Sequence, residues 1–415
     1  MVTKGVDWSE YPKDTTSIYL SNRGITHMNW DNAPPNLKTV NLSHNSLTEM
    51  NWVNAPQQLT EVYLSWNQIT HMNWENAPQQ LTKVCLGGNG LTDINWDHAP
   101  QQLTEVDLYI NRITHINWDN APQQLTEVYL GNNCLTEMNW DHAPQQLTKV
   151  HFGSNRITDM NWVNAPQQLT FVYLGGNGLT DMNWDNAPQQ LTEVYLGNNQ
   201  ITHMNWKNAP QQLRKVDFSR NSITHMNWDN APPQLTKVDL SSNSITNMNW
   251  DSSPQQLIEV DLYANAITEM NWVNAPPNLT RVFLSCNGLT EMNWVNAPPN
   301  LTRVFLSCNQ INSMNWDNAP QNLTMVSLSM NGLTHINWKN SPNTLTDVDG
   351  YEREFKEYKA ARRIQRVYLR HYTRRKVAAR KIVDGCHAWV WKPLCKDGTI
   401  GIRPRLDTLE LGLTN

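Results

Sequence analysis

The chain has 415 residues, 39% of them hydrophobic, and carries 32 Lys+Arg against 37 Asp+Glu for a net charge of −5. No run reaches the roughly 18 apolar residues that a bilayer span needs, and the opening MVTKGVDWSE lacks the apolar core of a secretory signal, so a soluble, intracellular, cytoplasmic protein is expected. The six cysteines show no framework spacing, which suits a reducing compartment.

The net charge hides a division. Residues 1–349 carry 16 Lys+Arg against 30 Asp+Glu, a net −14, whereas residues 350–415 carry 16 against 7, a net +9. Four segments follow from the pattern: a partial repeat or cap over 1–14, a repeat array over 15–349, a basic helix over 350–383, and a small module with a possible hairpin over 384–415.

The array is set by sixteen tryptophans spaced 22 residues apart from Trp8 to Trp338, without insertion or deletion. A proline column from Pro12 to Pro342 and asparagine columns from Asn29 to Asn337 and from Asn45 to Asn331 keep the same step. Such a fixed period is the signature of a solenoid, in which each copy buries its apolar face only against its neighbours.

Within one copy, Leu59 to Leu64 alternates apolar and polar residues, which predicts a short strand with Val62 and Leu64 inward and Glu61 and Tyr63 outward. Asn67 follows at the turn, where a buried amide can tie the backbones of successive coils. Arg23 takes this place in the first coil and Arg353 would take it after the last, which marks both ends of the regular array. The return half ends in Ala-Pro, where proline removes a donor and holds the preceding alanine extended, so no helix is expected. Met72 and Trp74 share a face of this extended segment. The tryptophans are therefore expected to form core, with indole N–H groups meeting carbonyls or asparagines, rather than an exposed platform for sugars.

Leu59, Val62, Leu64, Asn67 and Ile69 resemble the leucine-rich repeat signature, which recurs fourteen times with its asparagine intact. The Pro78-Gln-Gln-Leu81 join is similar to the short bacterial-effector class of these repeats, with Met-Asn-Trp in place of its Leu-Pro pairs. The near-identity of the copies also resembles tandem arrays in large DNA viruses of amoebae. The resemblance implies a β-rich solenoid with a parallel concave sheet and an extended, non-helical convex side, followed here by one basic helix and a short β-like tail.

The concave face is the default binding surface of such an array. Its central column includes Tyr63, Tyr129, Tyr173, Tyr195, Asp217, Asp239, Asp261, Phe283 and Phe305. Rigid aromatics beside charges are what protein hot spots use, so a protein or peptide partner is expected there, although tyrosine also simply favours strands. The acidic balance disfavours nucleic acid on the array and leaves it open for the basic tail. A second column begins His27, Glu49, His71, Asp93, His115 and Glu137; it reads as a pH-sensitive edge or as a solvated polar rim. Cys286 and Cys308 hold equivalent places in adjacent coils, within possible disulfide reach. No cofactor or metal ligand set is evident.

From Arg353 to Val383 the chain lacks proline and glycine and carries Phe355, Tyr358, Ala361, Ile364, Tyr368 and Tyr372 at helical spacing. Ile364, Gln365, Arg374 and Val377 match the IQ motif of calmodulin-type partners, with Arg370 one place late, so a calmodulin-like protein is a candidate partner. The other expectation is a helix that caps the solenoid. Beyond it, Trp389-Val-Trp391 and Thr399-Ile-Gly-Ile402 around Lys396-Asp-Gly398 suggest a hairpin. Cys386, His387 and Cys395 lack a fourth metal ligand. Cys395-Lys-Asp397 resembles the Cys-x-Asp of bacterial ubiquitin ligases, whose large helical domain 66 residues cannot supply. Nothing brings a nucleophile, base and acid together, so a non-enzymatic scaffold is expected, with a structural virion or assembly component as the alternative.

Overall fold

The computed structural model describes residues 4–334 and 336–390, with side chains described as far as residue 383. The chain divides into two compact units at Gly350.

In the first unit, sixteen three-residue strands run from Ser17–Tyr19 to Asp347–Asp349 and form one parallel sheet in strictly sequential order. The register moves by one whole repeat at each step, so that Glu61 pairs with Lys83, Val62 with Val84 and Tyr63 with Cys85. Alternation survives as expected: Val62 is buried while Glu61 and Tyr63 are half-exposed. Among the described residues the return halves hold no α-helix, only turns and extended chain, with one short 3-10 helix at Trp8–Glu10 in the first.

Two ladders hold successive coils together. On one side of the core, Asn67 donates to the carbonyls of Leu64 at 2.9 Å and of Leu42 at 3.0 Å, and accepts the Leu47 N–H at 3.0 Å. One buried amide thus satisfies backbone groups of two coils that the tight turn would otherwise orphan. On the other side, Trp74 stacks on Trp96 with ring centroids 6.4 Å apart and planes 9° from parallel. Its indole N–H donates to the Asn95 carbonyl of the next coil at 2.8 Å. The rings are core: Trp30 to Trp272 are fully buried, so they present no sugar platform. Trp8 belongs to the same ladder, stacked on Trp30 at 5.4 Å.

Each coil also closes with two residues in the left-handed region. One column, Asn32, Asn54, Asn76 and onwards, uses asparagine almost throughout, with His98, His142 and Ser252 as substitutes. Asparagine tolerates this conformation better than most residues do. The other column, three residues past the end of each strand, holds Asn22, His44, Trp66, Gly88, Ile110, Arg220, Cys286 and Met330 among others, at φ of 52° to 72°.

The second unit is a helix from Glu352 to Val390. The sequence places its end near Val383 and a strand from Trp389; instead the helix continues through Gly385 to Val390. A lone glycine costs a helix only about 1 kcal/mol, and no proline intervenes before Pro393. Trp391, the Lys396-Asp-Gly398 turn, Thr399–Ile402 and Cys395 lie outside the described residues. No described helix is long and apolar enough to cross a membrane.

Candidate functional site

The third strand position puts one side chain per coil on the open face of the sheet, in an unbroken register from Tyr63 through Tyr129, Tyr173 and Tyr195 to Asp217, Asp239, Asp261, Phe283 and Phe305. The column is one surface, but its members behave differently. Tyr63 donates its hydroxyl to Glu61 of its own strand at 2.8 Å, and Tyr129 does the same with Glu127. Partial burial and the neighbouring carboxylate push the Tyr63 phenol up to about 12 and raise that of Tyr129.

In the middle of the array the rings lie against one another. His151 stacks on Tyr173 with centroids 4.3 Å apart and planes 8° from parallel, and Tyr173 stacks on Tyr195 at 5.6 Å. Phe171 leans on Tyr195 at 5.3 Å. Lys215 reaches back over the same ring, 4.5 Å from its centroid and 2.5 Å from its hydroxyl. A second pair, Phe283 and Phe305, is parallel to within 1° at 4.5 Å.

The central stack exists because the neighbouring column is empty. Two residues after each face residue stand Gly131, Gly153, Gly175 and Gly197 in four consecutive coils. A Cβ on Gly153 would come within 2.3 Å of Tyr173 Cε1, and one on Gly175 within 2.9 Å of Tyr173 Cζ. The rings lie down over a glycine floor, and a methyl group would push them up. The Nδ1 of His151 is buried without a hydrogen-bond partner, and burial lowers the pKa of this imidazole. Neither the glycine floor nor His151 was among the expected binding residues, although the run of four glycines at 22-residue spacing was a visible signal.

The acids of the column serve their own strand ends. Asp217, Asp239 and Asp261 accept the N–H groups of Ser219, Ser241 and Tyr263 at 2.8, 2.9 and 2.8 Å. Burial, then the Asp239 and Glu259 charges, raise Asp261 to about 6 despite that hydrogen bond. The first strand position is mixed in charge and pairs across coils: Lys83 with Glu105 at 2.7 Å, and Glu259 with both Lys237 at 2.5 Å and Arg281 at 2.9 Å. Among the described residues no three His, Cys, Asp or Glu side chains gather as for a metal ion.

At the edge beside the tryptophans, His71 and His115 meet the hydroxyls of Thr70 and Thr114 in their own coils at 3.0 and 3.1 Å. None of the ion pairs among the described residues joins these imidazoles to the carboxylates of adjacent coils. In the helix, Ile364 is 70% exposed, and Gln365, Arg370, Arg374 and Val377 are exposed as well. Leu369, Thr373, Val377 and Ala378 form an apolar strip edged by Arg370, Arg374 and Lys381.

No family model matches the sequence, and no curated protein matches it. The structure is similar to a leucine-rich-repeat protein of Leptospira interrogans, at 19% identity and a TM-score of 0.63, over 82% of this chain and 96% of that one. It is also similar to the functional domain of InlJ from Listeria monocytogenes, at 22% identity and a TM-score of 0.58, over 75% and 68% of the two chains. YopM, a leucine-rich effector protein from Yersinia pestis, aligns at 22% identity and a TM-score of 0.53, over 80% and 88%. With its sixteen-stranded parallel sheet and its asparagine ladder, the array has the leucine-rich-repeat fold.

Proposed function

We propose that the chain is a non-enzymatic protein-interaction scaffold whose partner, a protein or peptide, is gripped by the sheet face around His151, Tyr173 and Tyr195. The observation that carries this reading is the glycine floor. Three coils in succession, at Gly131, Gly153 and Gly175, give up a side chain where aromatic rings lie down and stay half-exposed, an arrangement that stacking of the coils does not require. Rigid aromatic surface costs little entropy on binding, and the flanking Lys215 and Asp217 supply polar rim contacts. Fold likeness to protein-interacting leucine-rich repeats points the same way.

Affinity capture with the full chain and a Tyr173→Ala, Tyr195→Ala variant tests it. The expected outcome is a partner retained by the parent and by a Tyr19→Ala control but lost from the double variant. Equal capture by all three would remove the aromatic platform from recognition. The exposed strip of the helix supports a second contact: Ile364, Leu369 and Val377 flanked by Arg370 and Arg374 suit a calmodulin-like acidic groove. Retention of such a protein only with calcium, and its loss in Val377→Glu, would assign the helix. If no variant changes what is bound while the chain assembles with itself, the structural-component reading, with its likeness to viral arrays, takes precedence.

A further inference from the structure

From Lys359 to Val383 the helix carries ten Lys+Arg and no Asp or Glu. At 3.6 residues per turn these charges do not spread evenly. Ile364, Val367, Tyr368, Tyr372, Ile382 and Val383 fall together on an arc of about 160°, with four alanines between them. Nine of the ten basic residues lie outside that arc. Arg375 and His371 are the polar exceptions within it, and Gln365 marks its rim. The arc runs straight along the helix: Ile364 and Ile382 stand about five turns apart on one line, roughly 27 Å along the axis. Its side chains are exposed, Ile364 at 70% and Ile382 at 67%. An apolar face of this length, bordered by charge of one sign, is left in water.

We infer that this arc is a docking face for an anionic phospholipid bilayer, on whose surface the helix lies lengthwise. The inference goes beyond the protein contacts proposed above and uses the side of the helix opposite Leu369 and Val377. Charge complementarity selects the partner. Arg374 on one border of the arc and Lys376 on the other reach headgroup phosphates while the arc meets the acyl boundary, and the remaining basic residues face the same negative surface potential. The Lys376 Nζ already lies 5.6 Å from the Tyr372 ring centroid at that border. Arg375, inside the arc, has a stem long enough to carry its charge back to the headgroups. The shape of the arc agrees. It is broad and shallow, built from alanines and from Tyr368 and Tyr372, whose rings stack 6.4 Å apart and 12° from parallel. Such amphipathic rings settle at headgroup level. A protein groove grips a few bulky anchors instead, and nucleic acid would neutralise the arginines but leave the arc in water. The helix is too polar to cross a bilayer, so it lies on one.

The experiment is co-sedimentation of the full chain with vesicles of phosphatidylcholine alone and of phosphatidylcholine mixed with phosphatidylserine. The parent should partition onto the mixed vesicles about 100-fold more strongly than onto the neutral ones. Raising the salt from about 0.1 M to about 1 M, which shortens the screening length from about 10 Å to about 3 Å, should release it. Glutamine is a good helix former, so the variants keep the helix, which circular dichroism checks. Ile364→Gln with Tyr368→Gln removes apolar surface without touching charge and should weaken partitioning about tenfold. Arg363→Gln, Arg374→Gln and Lys376→Gln together should weaken it about 100-fold. Leu369→Gln with Val377→Gln, on the opposite side, should bind as the parent does. Parent-like binding by the Ile364→Gln, Tyr368→Gln variant, or an equal loss in the Leu369→Gln, Val377→Gln variant, would overturn the arc as the docking face. A chain that ignores the mixed vesicles and binds calmodulin or a DNA duplex instead would overturn the bilayer as its partner.

Discussion

The tryptophan side and the sheet face repeat with the same 22-residue step but obey different rules. On the tryptophan side the same residue recurs in every coil and is buried; from Trp8 to Trp294 each indole donates to a carbonyl of the next coil, and many of the rings stack on a neighbouring tryptophan. On the sheet face the third strand position passes through Tyr, Cys, Asp, His, Phe and Ser while the backbone stays the same. A side chain that must fit its own copy above and below has no freedom to vary, because any change leaves a void or an unpaired donor. One that faces solvent is free to vary, and the face is where the coils differ.

The largest effect should come from breaking the invariant side. Trp162 is 1% exposed, stacks on Trp140 and Trp184 at 6.5 Å each, and donates to the Asn183 carbonyl at 2.8 Å. Trp162→Ala is expected to cost about 3–5 kcal/mol in denaturant unfolding, since the cavity lies between coils that cannot collapse onto it. Tyr173→Ala, on the variable side, should leave stability within about 1 kcal/mol of the parent. If the two variants lose similar amounts, the division between an invariant structural side and a free face fails.

The asparagine ladder comes next. Asn133 donates to Leu108 and Leu130 carbonyls at 2.9 and 3.1 Å and accepts the Ile113 N–H at 3.0 Å. It is buried, so Asn133→Ala strands backbone groups in two coils at once. About 2–3 kcal/mol should be lost. Hydrogen exchange should show the Ile113 amide losing protection more than the amides of distant coils, which separates a local ladder defect from general destabilisation.

Much of the fold was legible because the signals that set it repeat. Alternation at Val62 and Leu64 assigns the inward face, Asn67 the ladder and Trp74 the core, and the indole bond to a neighbouring coil follows from the need to pair a buried N–H. The ring geometry of the face was less legible. Alternation says that Tyr173 points outward, but whether its ring stands or lies depends on Gly153 and Gly175, two residues along the chain and in adjacent coils. The helix end was misplaced because Gly385 is a weak stop without a proline or a cap. The left-handed turn after each strand was not legible at all at Trp66, Ile110 or Arg220, residues that disfavour that conformation on their own; the neighbouring coil imposes it.

Asp261 sharpens the comparison by showing what the variable face gives up in stability. Its folded pKa is raised to about 6, chiefly by burial, from an ordinary carboxyl value near 4. The folded state therefore binds the proton more tightly than the unfolded chain. Its stabilising contribution is full below about pH 4 and is lost as pH rises through about 6. Asp261→Asn keeps the hydrogen bond to the strand end, as Asn41 does by accepting the Ser43 N–H at 2.9 Å. The variant should be about 1 kcal/mol more stable than the parent at pH 7.5, after allowance for solvent screening, and equal to it at pH 4. A gain that persists at pH 4 would mean that charge is not its source.

The smallest effect tests the turn. Ile110 takes φ of 55° although β-branched residues are poorly suited to the left-handed region, whereas Asn22, Asn132 and Asn198 hold the same position at 58°, 52° and 56°. The Ile110 N–H donates to the Gly131 carbonyl of the next coil at 3.0 Å, and the Asn111 amide beside it is fixed by Leu86 and Leu108 carbonyls. These cross-coil bonds hold the strained conformation against its intrinsic cost. Ile110→Asn keeps every one of them while relieving the strain, so it should raise stability by about 0.5–1 kcal/mol, read as a higher Tm with the sheet unchanged. The gain measures how hard one coil presses its conformation on the next. If Ile110→Asn instead destabilises, the isoleucine side chain contributes packing at the turn that outweighs its backbone strain, and the variable column is less free than the face beside it.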